Sequence, residues 1–200
     1  MELLPLQLVL SLAMFAFVTS ITPGPNNMML LASGVNHGFA GSLRLLFGIE
    51  FGFFILLSAV GLGLGELFVA LPMAHTAMKW LGVAYMLYLA WGLAHSAGSG
   101  AEGDGGKTLG FWGAVAFQWI NPKAWIMAIG YFSTYVPAGK GPIYLVGMAA
   151  LFAIVGLPCC AAWALMGQHL RRYLADAKQR QVFNWVMAVL LVLSIIPALL

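Results

Sequence analysis

The sequence contains few charged residues. Asp, Glu, Lys and Arg make up 8% of its 200 residues, whereas a soluble domain carries about 25%. Apolar residues make up 62%, and the mean hydropathy is +0.93. These values exclude a separate soluble domain and indicate an all-α integral membrane protein. We expect a lipid bilayer around the chain and no nucleic-acid partner.

Cysteine and histidine are also scarce. The two cysteines, Cys159 and Cys160, are adjacent, and no C-x-x-C motif is present. Adjacent cysteines rarely form a disulfide, and thiols in apolar surroundings are unreactive. The four histidines lie at loop edges without the spacing of metal ligands: His37, His75, His95 and His169. We therefore predict no metal site, no cofactor and no enzymatic activity, with the cysteines in a structural role.

The N-terminal apolar stretch lacks basic residues. Residue 2 is Glu2, and no Lys or Arg precedes Arg44, whereas the start of a signal peptide is basic. We therefore predict a retained membrane helix. Apolar stretches of membrane-spanning length occur near residues 4–21, 43–65, 78–95, 109–134, 143–167 and 182–200. Six transmembrane helices are predicted in one domain.

The basic residues predict the orientation. Six lie in or beside the first, third and fifth loops: Arg44, Lys107, Arg171, Arg172, Lys178 and Arg180. The second and fourth loops contain only Lys79 and Lys140. Because positive charge marks the cytoplasmic side, odd-numbered loops are predicted to be cytoplasmic and both termini periplasmic. Segment 168–181 either continues the fifth helix or lies on the membrane surface, and a topogenic anchor is the favoured interpretation.

Two polar blocks interrupt apolar runs. The first is T-P-G-P-N-N at residues 22–27, and the second is W-I-N-P-K at residues 119–123. Proline removes a backbone donor and leaves carbonyl groups without helical partners. In hydrocarbon, such groups must find other partners or line a polar cavity. Broken helices at matching positions in two halves mark the binding site of many transporters, so we predict a site here.

The chain divides into two halves. Residues 96–107 have the Gly/Ser-rich composition of a flexible linker, which gives halves at 1–95 and 109–200 joined by a cytoplasmic segment at 96–108. Pro25 and Pro122 are 97 residues apart, and Gly48 and Gly147 are 99 apart. Three spans per half place the halves in opposite orientations. We predict two inverted three-helix repeats, with helices 1 and 4 broken.

The first block favours an anion site. Pro23 and Pro25 flank Gly24, so the helix should unwind there and a new helix can begin at or after Pro25. The positive end of that helix suits a carboxylate. Asn26 and Asn27 add donors and acceptors for both ends of a zwitterion. A proline kink or a tight turn is the alternative.

Two ionisable residues lie inside predicted spans. Lys123 follows Leu109 by fourteen positions, and a lysine at this depth costs about 3 kcal/mol on insertion scales. It could bind a substrate carboxylate, pair with an acid, change protonation or snorkel to the interface. Glu50 is the one acid well inside a predicted span and either carries a proton or reaches cytoplasmic water. A Glu50–Lys123 pair is an open hypothesis.

Three segments resemble one family. The runs Thr22–Met28 (T-P-G-P-N-N-M), Gln118–Ala124 (Q-W-I-N-P-K-A) and Lys79–Leu89 are similar to segments of the LysE/RhtB amino-acid exporters. The resemblance implies a bacterial inner-membrane exporter driven by the proton motive force. The sequence departs from the family pattern in two places, because the last span lacks glycines and the fifth lacks an acid.

A proton-coupled exporter of a neutral amino acid such as homoserine, threonine or leucine is therefore predicted. The predicted substrate-binding residues come from both blocks: Thr22, Pro23, Gly24, Pro25, Asn26, Asn27, Gln118, Asn121, Pro122 and Lys123. Glu50 or Lys123 is predicted to carry the coupling proton. The alternatives are a membrane thiol–disulfide carrier, which needs cysteines in both halves, and a metal-cation exporter, which needs several intramembrane acids. A homo-oligomer is one open option.

Overall fold

The described part of the chain is helical and contains no β-strand. The computed structural model describes residues 6–65, 72–95, 109–136, 139–174, 176–194 and 196. Within these ranges seven α-helices follow one another: α1 Leu6–Ile21, α2 Pro25–Ala59, α3 Pro72–His95, α4 Phe111–Ile120, α5 Pro122–Tyr135, α6 Pro142–Leu170 and α7 Ala177–Leu193. A π-helical turn, Val60–Leu64, continues α2. The predicted linker at 96–108 lies outside the described residues.

Two stretches are long and apolar enough to cross a membrane by length and composition. They are Pro25–Leu64, which joins α2 to its π-helical turn, and α6. α1 and α4 are shorter apolar helices, and each ends at one of the two proline blocks. The chain therefore leaves helical geometry at both places where the sequence predicts a break.

The prediction that a new helix can begin at or after Pro25 is confirmed, whereas the predicted start of the second span near residue 43 is too late. α2 begins at Pro25 because the apolar run after the first block resumes a helix at once. The helix bends sharply at Gly38, which has φ 71° and ψ 176°, a conformation that favours glycine. The Phe39 amide beyond the bend donates to Gln168 Oε1 of α6 at 2.7 Å. The second predicted span is thus the part of α2 that follows this bend.

Close packing of α2 against α6 and α4 forms the centre of the bundle. Gly34 of α2 and Gly167 of α6 face each other, since a Cβ on either would overlap a backbone carbonyl of the other helix. Gly48 and Gly52 lie against the backbone of α4. Gly48 and Gly52 therefore permit the close packing of α2 against α4.

α3 and α7 pack together at the side of this centre. Their contact is formed by small and aliphatic side chains, including Ala90, Ala94 and Leu191. Gly82 brings α3 against the Ile120 carbonyl at the end of α4. α6 ends at Leu170, residues 171–173 form a turn, and α7 begins at Ala177, so α6 does not continue through segment 168–181.

Candidate substrate site between the two helix breaks

Two prolines cause the first break, and side chains supply hydrogen bonds in place of the lost helical ones. Pro23 and Pro25 lack the amides that would bond to the carbonyls of Thr19 and Ile21 in a continuous helix. The Thr22 hydroxyl donates to the Thr19 carbonyl at 2.8 Å. Trp163 Nε1 of α6 donates to the Ile21 carbonyl at 3.2 Å. Both carbonyls that lose a helical partner therefore gain another.

Two further side chains complete the end of α1. Asn27 Nδ2 donates to the carbonyls of Ser20 at 2.7 Å and Thr22 at 2.8 Å. Lys123 Nζ donates to the Thr22 carbonyl at 2.9 Å, Thr22 Oγ1 at 3.0 Å and the Pro23 carbonyl at 3.1 Å. The break is thus a hydrogen-bonded structure that includes a residue 101 positions away from Thr22 in sequence.

Lys123 is fully occupied in this arrangement. An ammonium group has three protons, and three acceptors at the C-terminal end of α1 surround it. That end carries the negative pole of the helix dipole, which favours a cation. In this geometry Lys123 does not pair with Glu50, and its ammonium group has no free position for a substrate carboxylate. Glu50 Oε2 is buried and has no hydrogen-bond partner among the described residues.

The second break is held by Asn121. Its side-chain oxygen caps α5 by accepting from the Lys123 amide at 3.1 Å, and Pro122 occupies the first helical position, where its missing amide is harmless. Asn121 Nδ2 donates to Asn26 Oδ1 at 3.3 Å. Asn121 is 1% exposed, and both interactions are partly buried.

Three amide side chains connect the breaks. Asn26 Nδ2 donates to Gln118 Oε1 at 2.9 Å, and Gln118 Nε2 returns a bond to Asn26 Oδ1 at 3.2 Å. Asn121 joins the same Asn26 oxygen. Gln118 is completely buried and also donates to the Ala114 carbonyl at 3.1 Å. Residues predicted from the two sequence blocks therefore meet in one partly buried polar network.

The two helix N-termini at the breaks differ. Asn121 caps α5, whereas Gly24 precedes α2 and no side chain caps that end. The first amides of a helix have no intrahelical acceptor, so the N-terminus of α2 presents donors. A Cβ on Gly24 would lie 2.6 Å from Lys123 Cδ, so a larger residue here would displace the Lys123 side chain.

A small cavity lies between the breaks. Its volume is about 30 Å³, room for about two water molecules. The N-terminus of α2, Glu50, Asn121 and Lys123 line it, together with Cys160 of α6. The remaining lining residues are Thr19, Ser20, Ile49, Phe53, Ala124 and Met127. The site thus combines a carboxyl group, amides and a lysine with an apolar wall.

The structure separates the predicted residues into two groups. Gly24, Pro25, Asn26, Asn27, Asn121, Lys123 and Glu50 line the cavity. Gln118 supports it through Asn26, while Thr22, Pro23 and Pro122 shape the breaks without lining the cavity. Sequence reasoning missed Cys160, whose thiol lies 3.7 Å from Asn27 Oδ1, because an apolar neighbourhood favoured a structural role. Its position two residues after Pro158, in a span facing the first block, is a weak signal.

The described residues do not form the site that a thiol–disulfide carrier or a metal-cation exporter requires. Cys159 and Cys160 are free and buried on the same helix, so they do not supply one thiol per half. In the part of the chain that the structure describes, no group of three His, Cys, Asp or Glu side chains could hold a metal ion.

Interrupted apolar helices that meet around a buried polar cavity define the class of a membrane transport protein. A sequence model of the LysE type translocators matches residues 17–194. The chain belongs to this family, which confirms the resemblance seen in the two proline blocks. No solved structure matches the chain.

Named relatives point to efflux. Proteins from Escherichia coli (strain K12) and Shigella sonnei (strain Ss046), each named a cysteine/O-acetylserine efflux protein, are 37% identical to this chain over 180 residues. The matched region covers 89% of this chain and 90% of each relative. The similarity therefore extends over both proline blocks and nearly the whole bundle.

Proposed function

We propose that this protein exports a small neutral amino acid, of the cysteine or O-acetylserine type, from the cytoplasm across the bacterial inner membrane. The observation that carries the proposal is the cavity between the breaks, where donors at the N-terminus of α2 and the Glu50 carboxyl group can serve opposite ends of a zwitterion. The names of the relatives support this substrate class over the homoserine, threonine or leucine types expected from the sequence.

The proposed transport unit has six spans. α1 and residues 25–37 form one broken span, the rest of α2 the second, α3 the third, α4 with α5 the second broken span, and α6 and α7 the last two. The two halves would be inverted repeats, and substrate would cross by alternating access at their interface. Odd-numbered loops lie in the cytoplasm, and export is coupled to protons through Glu50 or Lys123.

The test is amino-acid release from cells. The protein is produced in a bacterial strain that lacks its own cysteine and O-acetylserine exporters, and both compounds are measured in the medium. Wild type should raise their export several-fold, and Asn26→Ala should remove most of the gain by breaking the amide network. Ser58→Ala is the matched control on α2, since its hydroxyl bonds to the Phe54 carbonyl of the same helix. Export that is unchanged in Asn26→Ala would contradict the proposed site.

A further inference from the structure

One carboxyl oxygen of Glu50 lacks a hydrogen-bond donor among the described residues. Its Oε2 atom is buried and has no hydrogen-bond partner, and a buried carboxyl group without a partner is costly. The Cys160 thiol lies beside the carboxyl group, but it also lies within reach of Asn27 Oδ1 and has one proton to donate. The cavity therefore contains an acceptor for which the described residues provide no strong donor.

Lys123 does not meet this requirement. Its three donors face Thr22 and Pro23, and moving it to Glu50 would leave the Pro23 carbonyl without the donor that now serves it. The amide side chains near the cavity are similarly engaged, since Asn26 bonds with Gln118 and Asn27 with the end of α1. A ligand in the cavity can supply the missing donor.

The same cavity also contains backbone donors that can bind an acceptor. The N-terminus of α2 has no side-chain cap, and it lines the cavity together with Glu50. Backbone amides at a helix N-terminus bind carboxylates. An α-amino acid carries its ammonium and carboxylate groups on one carbon atom, so both ends can be met within a small volume.

We propose that Glu50 receives the α-ammonium group of the transported amino acid and that the backbone amides at the N-terminus of α2 receive its carboxylate. This assignment rests on the proposed export function. It fixes the orientation of the substrate and leaves the side chain to face the apolar wall formed by Ile49, Phe53 and Met127. Lys123 then acts as a positioning residue that holds the end of α1.

Gly156 of α6 provides the space for Glu50. A Cβ at this position would lie 3.3 Å from Glu50 Oε2 and 3.3 Å from Ser20 Oγ. Gly156→Ala should therefore displace the carboxyl group without changing any charge. Gly147→Ala on the same helix is the matched control, because a Cβ there meets nothing within 4 Å.

The test uses purified protein in liposomes and measures exchange of radiolabelled O-acetylserine under reducing conditions. Three competitors are compared: cysteine, 3-mercaptopropionate, which lacks the ammonium group, and cysteamine, which lacks the carboxylate. For wild type, both analogues should compete at least about tenfold more weakly than cysteine, the effect expected from losing a hydrogen bond to a charged group.

Glu50→Gln should weaken competition by cysteine about tenfold and leave that by 3-mercaptopropionate within about twofold, so that the two compete similarly. Gly156→Ala should change the ratio of competition by cysteine to that by 3-mercaptopropionate in the same direction, and Gly147→Ala should not. The proposal is overturned if Glu50→Gln still prefers cysteine over 3-mercaptopropionate as wild type does, or if both competitors weaken equally. If Glu50→Gln does not fold, the Gly156→Ala ratio decides. Absence of exchange by wild type would instead refute the export function.

Discussion

Asn121 combines two roles that substitution can separate. Its oxygen caps α5 through the Lys123 amide, and its nitrogen donates to Asn26 across the two breaks. Loss of an N-cap costs about 1 kcal/mol, and loss of a buried hydrogen bond costs about the same. Asn121→Ala should therefore destabilise the protein by about 2 kcal/mol. Asn121→Ser keeps a capping oxygen and should lose about half as much.

Thermal unfolding in detergent at one scan rate measures the difference. For a chain of this size, 1 kcal/mol shifts the melting temperature by about 2–4 °C, so Asn121→Ala should melt about 4–8 °C below wild type and Asn121→Ser about 2–4 °C below. Ser58→Ala on α2 is a control for removal of a polar group that bonds within its own helix. Equal shifts for the two Asn121 variants would refute the capping role, and no shift in either would refute both roles.

Two further predictions concern the α2–α6 contact and the cavity wall. Gly34→Ala should destabilise the protein by about 1–3 kcal/mol through overpacking, because its Cβ would overlap the Ala164 carbonyl. The control Gly147→Ala should not destabilise it. Equal melting temperatures for Gly34→Ala and Gly147→Ala would contradict the close crossing of α2 and α6. In a Cys159→Ser background, labelling of Cys160 by a maleimide should be slowed by excess O-acetylserine because Cys160 lines the cavity. Labelling of Cys159 in a Cys160→Ser background should show no such protection, and protection of both would place the substrate elsewhere.

The helix breaks could be predicted from sequence because their cause is local. The two blocks combine proline with glycine or asparagine and so identify both breaks without knowledge of the fold, whereas the single Pro158 lies inside α6 without ending it. The partners of the freed carbonyls could not be predicted in this way. Trp163 and Lys123 reach the end of α1 from other helices, and only the packing of α5 and α6 brings them there.

The position of Glu50 shows how one error in a boundary affects a functional interpretation. A span that began near residue 43 left Glu50 close enough to the membrane surface to reach cytoplasmic water. In the structure α2 bends at Gly38, twelve residues before Glu50, which corresponds to about 18 Å along a helix. The carboxyl group lines the cavity between the breaks.

The bonds that cross the two breaks determine how a ligand could enter. If the cavity is the substrate site, its volume of about 30 Å³ is too small for an amino acid, and binding requires the breaks to separate. Separation breaks the bonds between Lys123 and the end of α1 and the bond between Asn121 and Asn26. A ligand can shift such an equilibrium only through interactions that favour the open state. Opening would therefore be favoured most by a molecule that satisfies both Glu50 and the α2 amides, and less by ions and analogues that carry one charge.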